Sequence, residues 1–202
     1  MLHRHSLRAP SRGFTLTELL VTVVILGIVV SYAAPTFTRM IATNRIAMQT
    51  NEFSAALKQA RAEAIRRGHA VALRAADSAD VGDFAVAGWT LLTDEDADGV
   101  AASPATDRDG TVIREMGGAG STVVVARVDR SGANPGPYTY ALTELDDDDK
   151  RVLIFNARGG NGSDTDAYFR VCDSASPAVN GRILRVSVIG TVTLAETEVP
   201  CT

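Results

Sequence analysis

Residues 13–35, G-F-T-L-T-E-L-L-V-T-V-V-I-L-G-I-V-V-S-Y-A-A-P, constrain this chain of 202 residues more than any other segment. They place one carboxylate, that of Glu18, at the start of an uncharged apolar run over residues 19–34. A run of this length predicts one membrane-spanning helix. A glutamate at membrane depth costs about 2.5–3.5 kcal/mol. We therefore expect Glu18 to meet a positive charge that another copy or another subunit supplies.

Residues 1–13 are short and basic, with three arginines, a proline and a glycine. This composition predicts a targeting leader that takes no part in the folded core. Its positive charge is expected to stay in the cytoplasm, which sends the C-terminal part of the chain outward. A conventional signal peptide is the competing interpretation, because residues 31–33 (S-Y-A) offer a small-x-small cleavage site. Cleavage there would release a soluble domain, but Glu18 fits that interpretation poorly.

A second helical pattern follows the apolar run. We predict one long helix over residues 14–67, transmembrane over about 16–35, with a bend at Pro35, and amphipathic over 36–67. Arg66 and Arg67 suit its last turn, and Gly68 is a good stop. The apolar side chains predicted to face the core are Phe37, Ile41, Met48, Phe53, Leu57, Ala60 and Ala64.

Residues 68–202 carry short apolar runs separated by Gly, Asp, Ser and Asn, a pattern typical of β-strands. Such spacing indicates antiparallel sheets, so the predicted class is α+β, with the long N-terminal helix packed on a C-terminal β-sheet head. The predicted strands are 70–74, 89–92, 112–115, 123–128, 138–142, 152–155, 168–172, 183–188 and 192–194.

Charge and cysteine content narrow the function further. The net charge is −4, and it becomes about −7 when the leader with its three arginines is removed. This balance argues against a surface that binds nucleic acid in general. The two cysteines, Cys172 and Cys201, predict one disulfide in an exported domain, the alternative being two unrelated thiols. A loop of roughly 30 residues would gain about 3–4 kcal/mol from that bond.

The segment G-F-T-L-T-E-L-L-V-T-V-V-I-L-G-I, with a basic leader before it and Pro35 after it, resembles the type IV prepilin signature. The resemblance implies that a prepilin peptidase cuts between Gly13 and Phe14 and N-methylates Phe14. It also implies that Glu18 pairs with the N-terminal amine of a neighbouring subunit during assembly.

Three further segments resemble the GspH/FimT family of minor pseudopilins: Q-A-R-A-E-A-I-R-R-G, W-T-L-L-T-D-E-D-A-D-G and L-I-F-N-A-R-G-G. The resemblance implies a non-enzymatic tip or priming subunit of a type II secretion pseudopilus, without a cofactor. Its partners would be other pseudopilins, the prepilin peptidase and the inner-membrane assembly platform. The chain would cross the inner membrane once, with its head in the periplasm. A minor pilin of a type IV pilus, acting in DNA uptake, is the alternative.

Two other patterns carry weaker hypotheses. Arg182 and Arg185 are similar to part of a basic motif of DNA-uptake relatives, although alternating strand arginines are more often solvent-facing and DNA binding is disfavoured. Asp94, Asp96 and Asp98 resemble the opening of a calcium loop, but Ala105 stands where the loop needs a glutamate. An acidic solvated turn is the favoured interpretation, and no metal is predicted. His69, beside the helix stop, has no nucleophile that would indicate catalysis.

Overall fold

The computed structural model describes residues 14–75, 84, 88–93, 112–117, 122–131, 139–142 and 152–201. The chain divides into two compact units between Met40 and Ile41. Helix α1 (Leu16–Arg67) is continuous in sequence and belongs to both units. The first unit contains the apolar part of this helix, and the described part of the second contains the remainder of the helix and nine strands.

Local capping explains where α1 begins and ends. The backbone N–H of Glu18 donates to Oγ1 of Thr15 at 3.2 Å, as an N-cap threonine requires. At the other end Gly68 adopts a φ of 71°, and its N–H donates to the carbonyl of Ala64 at 2.9 Å. A glycine in this left-handed conformation closes the helix because it satisfies a carbonyl of the last turn. The helix ends at Arg67.

Every described residue of the first unit is exposed, and the helix is long and apolar enough to cross a membrane. Several hydroxyl side chains interrupt this apolar surface, and three of them bond within the helix. Those of Thr22, Ser31 and Thr38 donate to the carbonyls three residues earlier, at 2.8, 2.7 and 3.0 Å. Their polar groups are therefore satisfied within the helix, which suits surroundings that contain no water.

The second unit contains two antiparallel sheets, and all nine predicted strands are present within a few residues of their predicted bounds. One sheet has the order β3-β2-β1-β6 and the other the order β5-β4-β7-β8-β9. The strands are β1 (Val71–Ala75), β2 (Gly88–Thr93), β3 (Val112–Gly117), β4 (Val123–Ser131), β5 (Thr139–Leu142), β6 (Val152–Phe155), β7 (Ala167–Asp173), β8 (Gly181–Val186) and β9 (Val192–Val199).

The buried stripe of α1 differs in part from the predicted one. Phe53, Leu57, Ala60 and Ala64 are buried as expected, but Phe37, Ile41 and Met48 are 63%, 37% and 71% exposed. Steps of three and four continue the stripe backwards from Phe53 to Thr50, Ile46 and Ala42, which are buried. Met48 precedes Phe53 by five residues, so it lies about 140° away around a helix with 3.6 residues per turn.

Three phenylalanine rings form the centre of the core. Phe53 comes from α1, Phe84 from the connection between β1 and β2, and Phe169 from β7. Their centroids are 5.1–5.7 Å apart in tilted and edge-to-face arrangements, which favour aromatic pairs. The backbone N–H of Phe84 also donates to the carbonyl of Val125 in β4 at 3.0 Å. The trio therefore connects the helix with elements of both sheets.

Replacing Phe53 by alanine should lower the free energy of unfolding by about 3–5 kcal/mol, because it leaves a cavity between the two other rings. Chemical denaturation measured by the fluorescence of Trp89, the single tryptophan, which is buried in β2, would test this. The matched control is Met48→Ala on the exposed side of the same helix, which should change stability by less than about 0.5 kcal/mol. Equal losses in the two variants would contradict the burial of this stripe.

Candidate functional site

The start of α1 presents a carboxylate that the described residues leave without a partner. Glu18 is exposed in the first turn of the helix, and no described residue forms a hydrogen bond or an ion pair with its side chain. It is also the single charged residue of the segment 14–38. Phe14 lies four residues earlier and is fully accessible. This end of the helix can therefore accept one positive charge from outside the chain.

Two further predicted features of this segment are the cleavage site at Gly13 and a bend at Pro35. Gly13, on the leader side of the predicted cleavage, lies outside the described residues. Pro35 lies inside α1, where it cannot donate to the carbonyl of Ser31 in the preceding turn. A bend at Pro35 remains a prediction.

Cys172 and Cys201 are joined in a disulfide, the pairing that the sequence predicts, with Cα atoms 5.6 Å apart. The bond connects β7 with the residues after β9 and passes over β8, which lies between those two strands. Gly181 at the start of β8 makes this possible. A Cβ atom there would lie 2.6 Å from Sγ of Cys172 and 2.9 Å from Sγ of Cys201.

The candidate DNA-binding arginines do not form a cation cluster. The guanidinium of Arg185 forms an ion pair with the carboxylate of Asp166, at 2.7 Å from Oδ2. Arg182 is half-buried in β8, at the register position opposite Val171 of β7. Phosphate binding needs several convergent cations, and this pair of side chains does not supply them.

The predicted acidic loop with Asp94, Asp96 and Asp98 lies outside the described residues. Among the residues that the structure describes, no group of three His, Cys, Asp or Glu side chains could hold a metal ion. His69 is exposed beside the helix stop.

A polar contact that no sequence pattern predicted joins α1 to two loops. The guanidinium of Arg61 donates to the carbonyl of Gly159 at 3.0 Å and to the carbonyl of Ile189 at 3.1 Å. Gly159 lies in the connection after β6, and Ile189 lies in the hairpin turn between β8 and β9. The helical pattern predicts Arg61 outside the core stripe, and no local signal indicates that it binds backbone carbonyls.

Asparagine side chains order the loop after β6. Oδ1 of Asn156 accepts hydrogen bonds from the backbone N–H groups of Arg158 and Gly160, both at 3.0 Å. The amide of Asn161 is buried and donates to the carbonyls of Thr165 and Val186, at 3.0 and 3.4 Å. The cluster of Asn and Gly between residues 156 and 162 could have indicated such a self-bonded turn.

The same two loops approach each other through glycines. Gly159 and Gly190 adopt φ angles of 80° and 76°. A Cβ atom on Gly190 would overlap the carbonyl oxygen of Gly159, the atom that Arg61 also binds. A side chain at Gly190 would therefore push the β8–β9 turn away from the loop after β6.

Gly190→Ala should therefore destabilise the head by more than Gly68→Ala. Both positions have a positive φ, which costs an alanine about 1–2 kcal/mol, but a Cβ on Gly68 would meet open space. The difference in unfolding free energy between the two variants isolates the steric part, which we expect to add at least about 1 kcal/mol. Equal losses would show that the two loops separate without cost.

Comparisons with known proteins agree with this architecture. A family model described as type II transport protein GspH matches residues 49–191, and one described as the prokaryotic N-terminal methylation motif matches residues 8–34. No curated protein matches the chain.

Two crystal structures of the type IV minor pilin FimU from Pseudomonas aeruginosa strain PAO1 are similar to the chain. The structure in space group P21 has a TM-score of 0.50 at 20% identity and covers 79% of this chain and 96% of that chain. The structure in space group P65 has a TM-score of 0.48 at 19% identity and covers 76% and 97%. At this identity the first likeness shows a shared pilin fold alone. Since the GspH model spans most of the sequence, the chain belongs to the GspH family of minor pseudopilins and pilins, which are structural subunits and not enzymes.

Proposed function

We propose that this protein is a minor pseudopilin of a type II secretion pseudopilus, acting at its tip or in its priming and so taking part in protein secretion. The observation that carries the proposal is the match of the GspH model to residues 49–191. Residues 16–35 anchor the chain in the inner membrane, and residues 68–202 form a periplasmic head. The methylation motif over residues 8–34 supports this anchoring because such a motif belongs to filament subunits.

Assembly uses the two ends of the first helical turn. A prepilin peptidase cuts between Gly13 and Phe14 and methylates the new N-terminal amine of Phe14, which stays positively charged. The exposed carboxylate of Glu18 then pairs with the corresponding amine of a neighbouring subunit, with the inner-membrane assembly platform adding the subunit to the filament. In a low-dielectric surrounding each charge removes the cost of burying the other, so the pairing selects correctly placed subunits.

A minor pilin of a type IV pilus is the second candidate. The observation that favours it is the fold similarity to FimU, a type IV minor pilin. A further role in DNA uptake gains no support from Arg185, whose charge is already neutralised by Asp166.

Deleting the gene and restoring it on a plasmid separates the two candidates. We expect the deletion to reduce the amount of secreted protein in the medium while surface pili and twitching motility persist. The reverse result, lost pili with normal secretion, would establish the type IV alternative. The neighbouring genes, for secretion or for pilus biogenesis, provide an independent check.

Glu18→Ala should leave leader cleavage intact but lower incorporation into the filament by about tenfold or more, because the neighbouring amine loses its counter-charge. Co-purification with other filament subunits measures incorporation, and mass spectrometry should show a methylated Phe14 N-terminus in both proteins. Thr22→Ala is the matched control, since the hydroxyl of Thr22 bonds only within the helix. Normal incorporation of Glu18→Ala would rule out the pairing role, and an N-terminus at Ala34 would support a secreted domain instead.

A further inference from the structure

Three exposed aliphatic residues adjoin Gly159 or belong to the β8–β9 turn near the end of α1. Ile65, Val188 and Ile189 are 52%, 41% and 70% exposed, and we call them the corner patch. A Cβ atom on Gly159 would lie 2.6 Å from Cδ1 of Ile65, so Ile65 packs over this glycine. Gly190, which follows Ile189, contacts the carbonyl oxygen of the same glycine. The helix and the hairpin turn thus both approach Gly159, and each carries exposed aliphatic residues beside it.

Hydrogen bonds hold the backbone of Val188 and Ile189 in place. The carbonyl of Val188 accepts from the N–H of Asn161 at 3.0 Å, and the N–H of Val188 donates to Oδ1 of Asp166 at 3.0 Å. The carbonyl of Ile189 accepts from Arg61 at 3.1 Å. The backbone of the patch is therefore already ordered in the free chain, so little conformational entropy is lost when a partner binds.

The surroundings of the corner patch are basic in a protein that is acidic overall. Five arginines (61, 66, 67, 158 and 185) against Glu63, Asp164 and Asp166 leave a charge of +2 over residues 61–67, 156–166 and 185–191, whereas the whole chain carries −4. Hydrogen bonds from Arg66 and Arg67 lower the pKa of Glu63, so this carboxylate stays ionised and is included in the count. Arg158 is exposed, and among the described residues its guanidinium has no carboxylate partner.

We propose that the corner patch is a docking surface for the head of a different filament subunit, one that presents an aliphatic side chain beside carboxylates. An apolar centre with a charged rim is the usual composition of a protein interface, and the positive rim selects an acidic partner. The aliphatic centre disfavours nucleic acid, and the guanidinium of Arg61 already donates to two backbone carbonyls. The inference rests on the proposed function, because a filament is what places a second head beside this one.

A photo-crosslinking amino acid at position 189 of the full chain, in cells with all filament subunits, tests the docking surface. We expect a crosslink to a different pilin-like subunit, through a peptide that contains Asp or Glu. Arg158→Glu should lower its yield by about tenfold or more, because the reversed rim charge repels the carboxylates of the partner. Lys58→Glu, a charge reversal at an exposed position of α1, should leave the yield unchanged. Unfolding followed by Trp89 fluorescence verifies that both variants fold.

A second crosslinker at Phe37, on the apolar part of the helix, separates the failure of this inference from that of the proposed function. Crosslinks from position 37 but none from position 189 would overturn the docking surface alone, whereas none from either position would overturn filament assembly itself. A product made of two copies of this chain would overturn the assignment to a different subunit. A retarded duplex DNA band that Arg158→Glu abolishes and Ile189→Asp preserves would replace the protein partner by nucleic acid.

Discussion

The contact of Phe53 with Phe84 and Phe169 is the interaction on which the arrangement of the head depends. Among the described strands the two sheets share no ladder of hydrogen bonds, so their relative position is set by what packs between them. Phe53 supplies that packing from the helix, and its ring lies 5.2 Å from Phe84 and 5.1 Å from Phe169. Buried side chains of both sheets join the same core, so displacement of the helix would expose apolar surface on β1 and β7 together.

One helix therefore serves two environments along its length. Around Phe53 its side chains satisfy the dense packing of a protein interior, with alanines at positions 56, 60 and 64 that let the sheets approach closely. Around residues 19–34 it exposes aliphatic side chains on every side, and the hydroxyls of Thr22 and Ser31 are bonded to its own carbonyls. The change from one composition to the other is what the family requires of a subunit that is first held in a lipid bilayer and then in a filament.

Features fixed by neighbours in sequence could be predicted, and features fixed by distant contacts could not. The nine described strands follow from short apolar runs between turn residues. The helix end follows from Gly68, because a glycine accepts the left-handed conformation without strain. The prediction that Met48 faces the core was wrong, because Met48 lies five residues before Phe53 and a step of five leads to the other side of a helix. The role of Arg61 depends on the carbonyls of Gly159 and Ile189, about 100 and 130 residues away, and no local pattern encodes such a contact.

The disulfide between Cys172 and Cys201 has a mechanical consequence for a protein that works in a filament. Strand β9 is at the edge of its sheet and pairs with β8 alone, so a pull on a free C-terminal end would peel it away one hydrogen bond at a time. Because Cys201 is bonded to β7, tension applied at that end bypasses β9 and enters the sheet at a strand paired on both sides. The load then acts on the ladders on both sides of β7, and the edge strand no longer carries it alone.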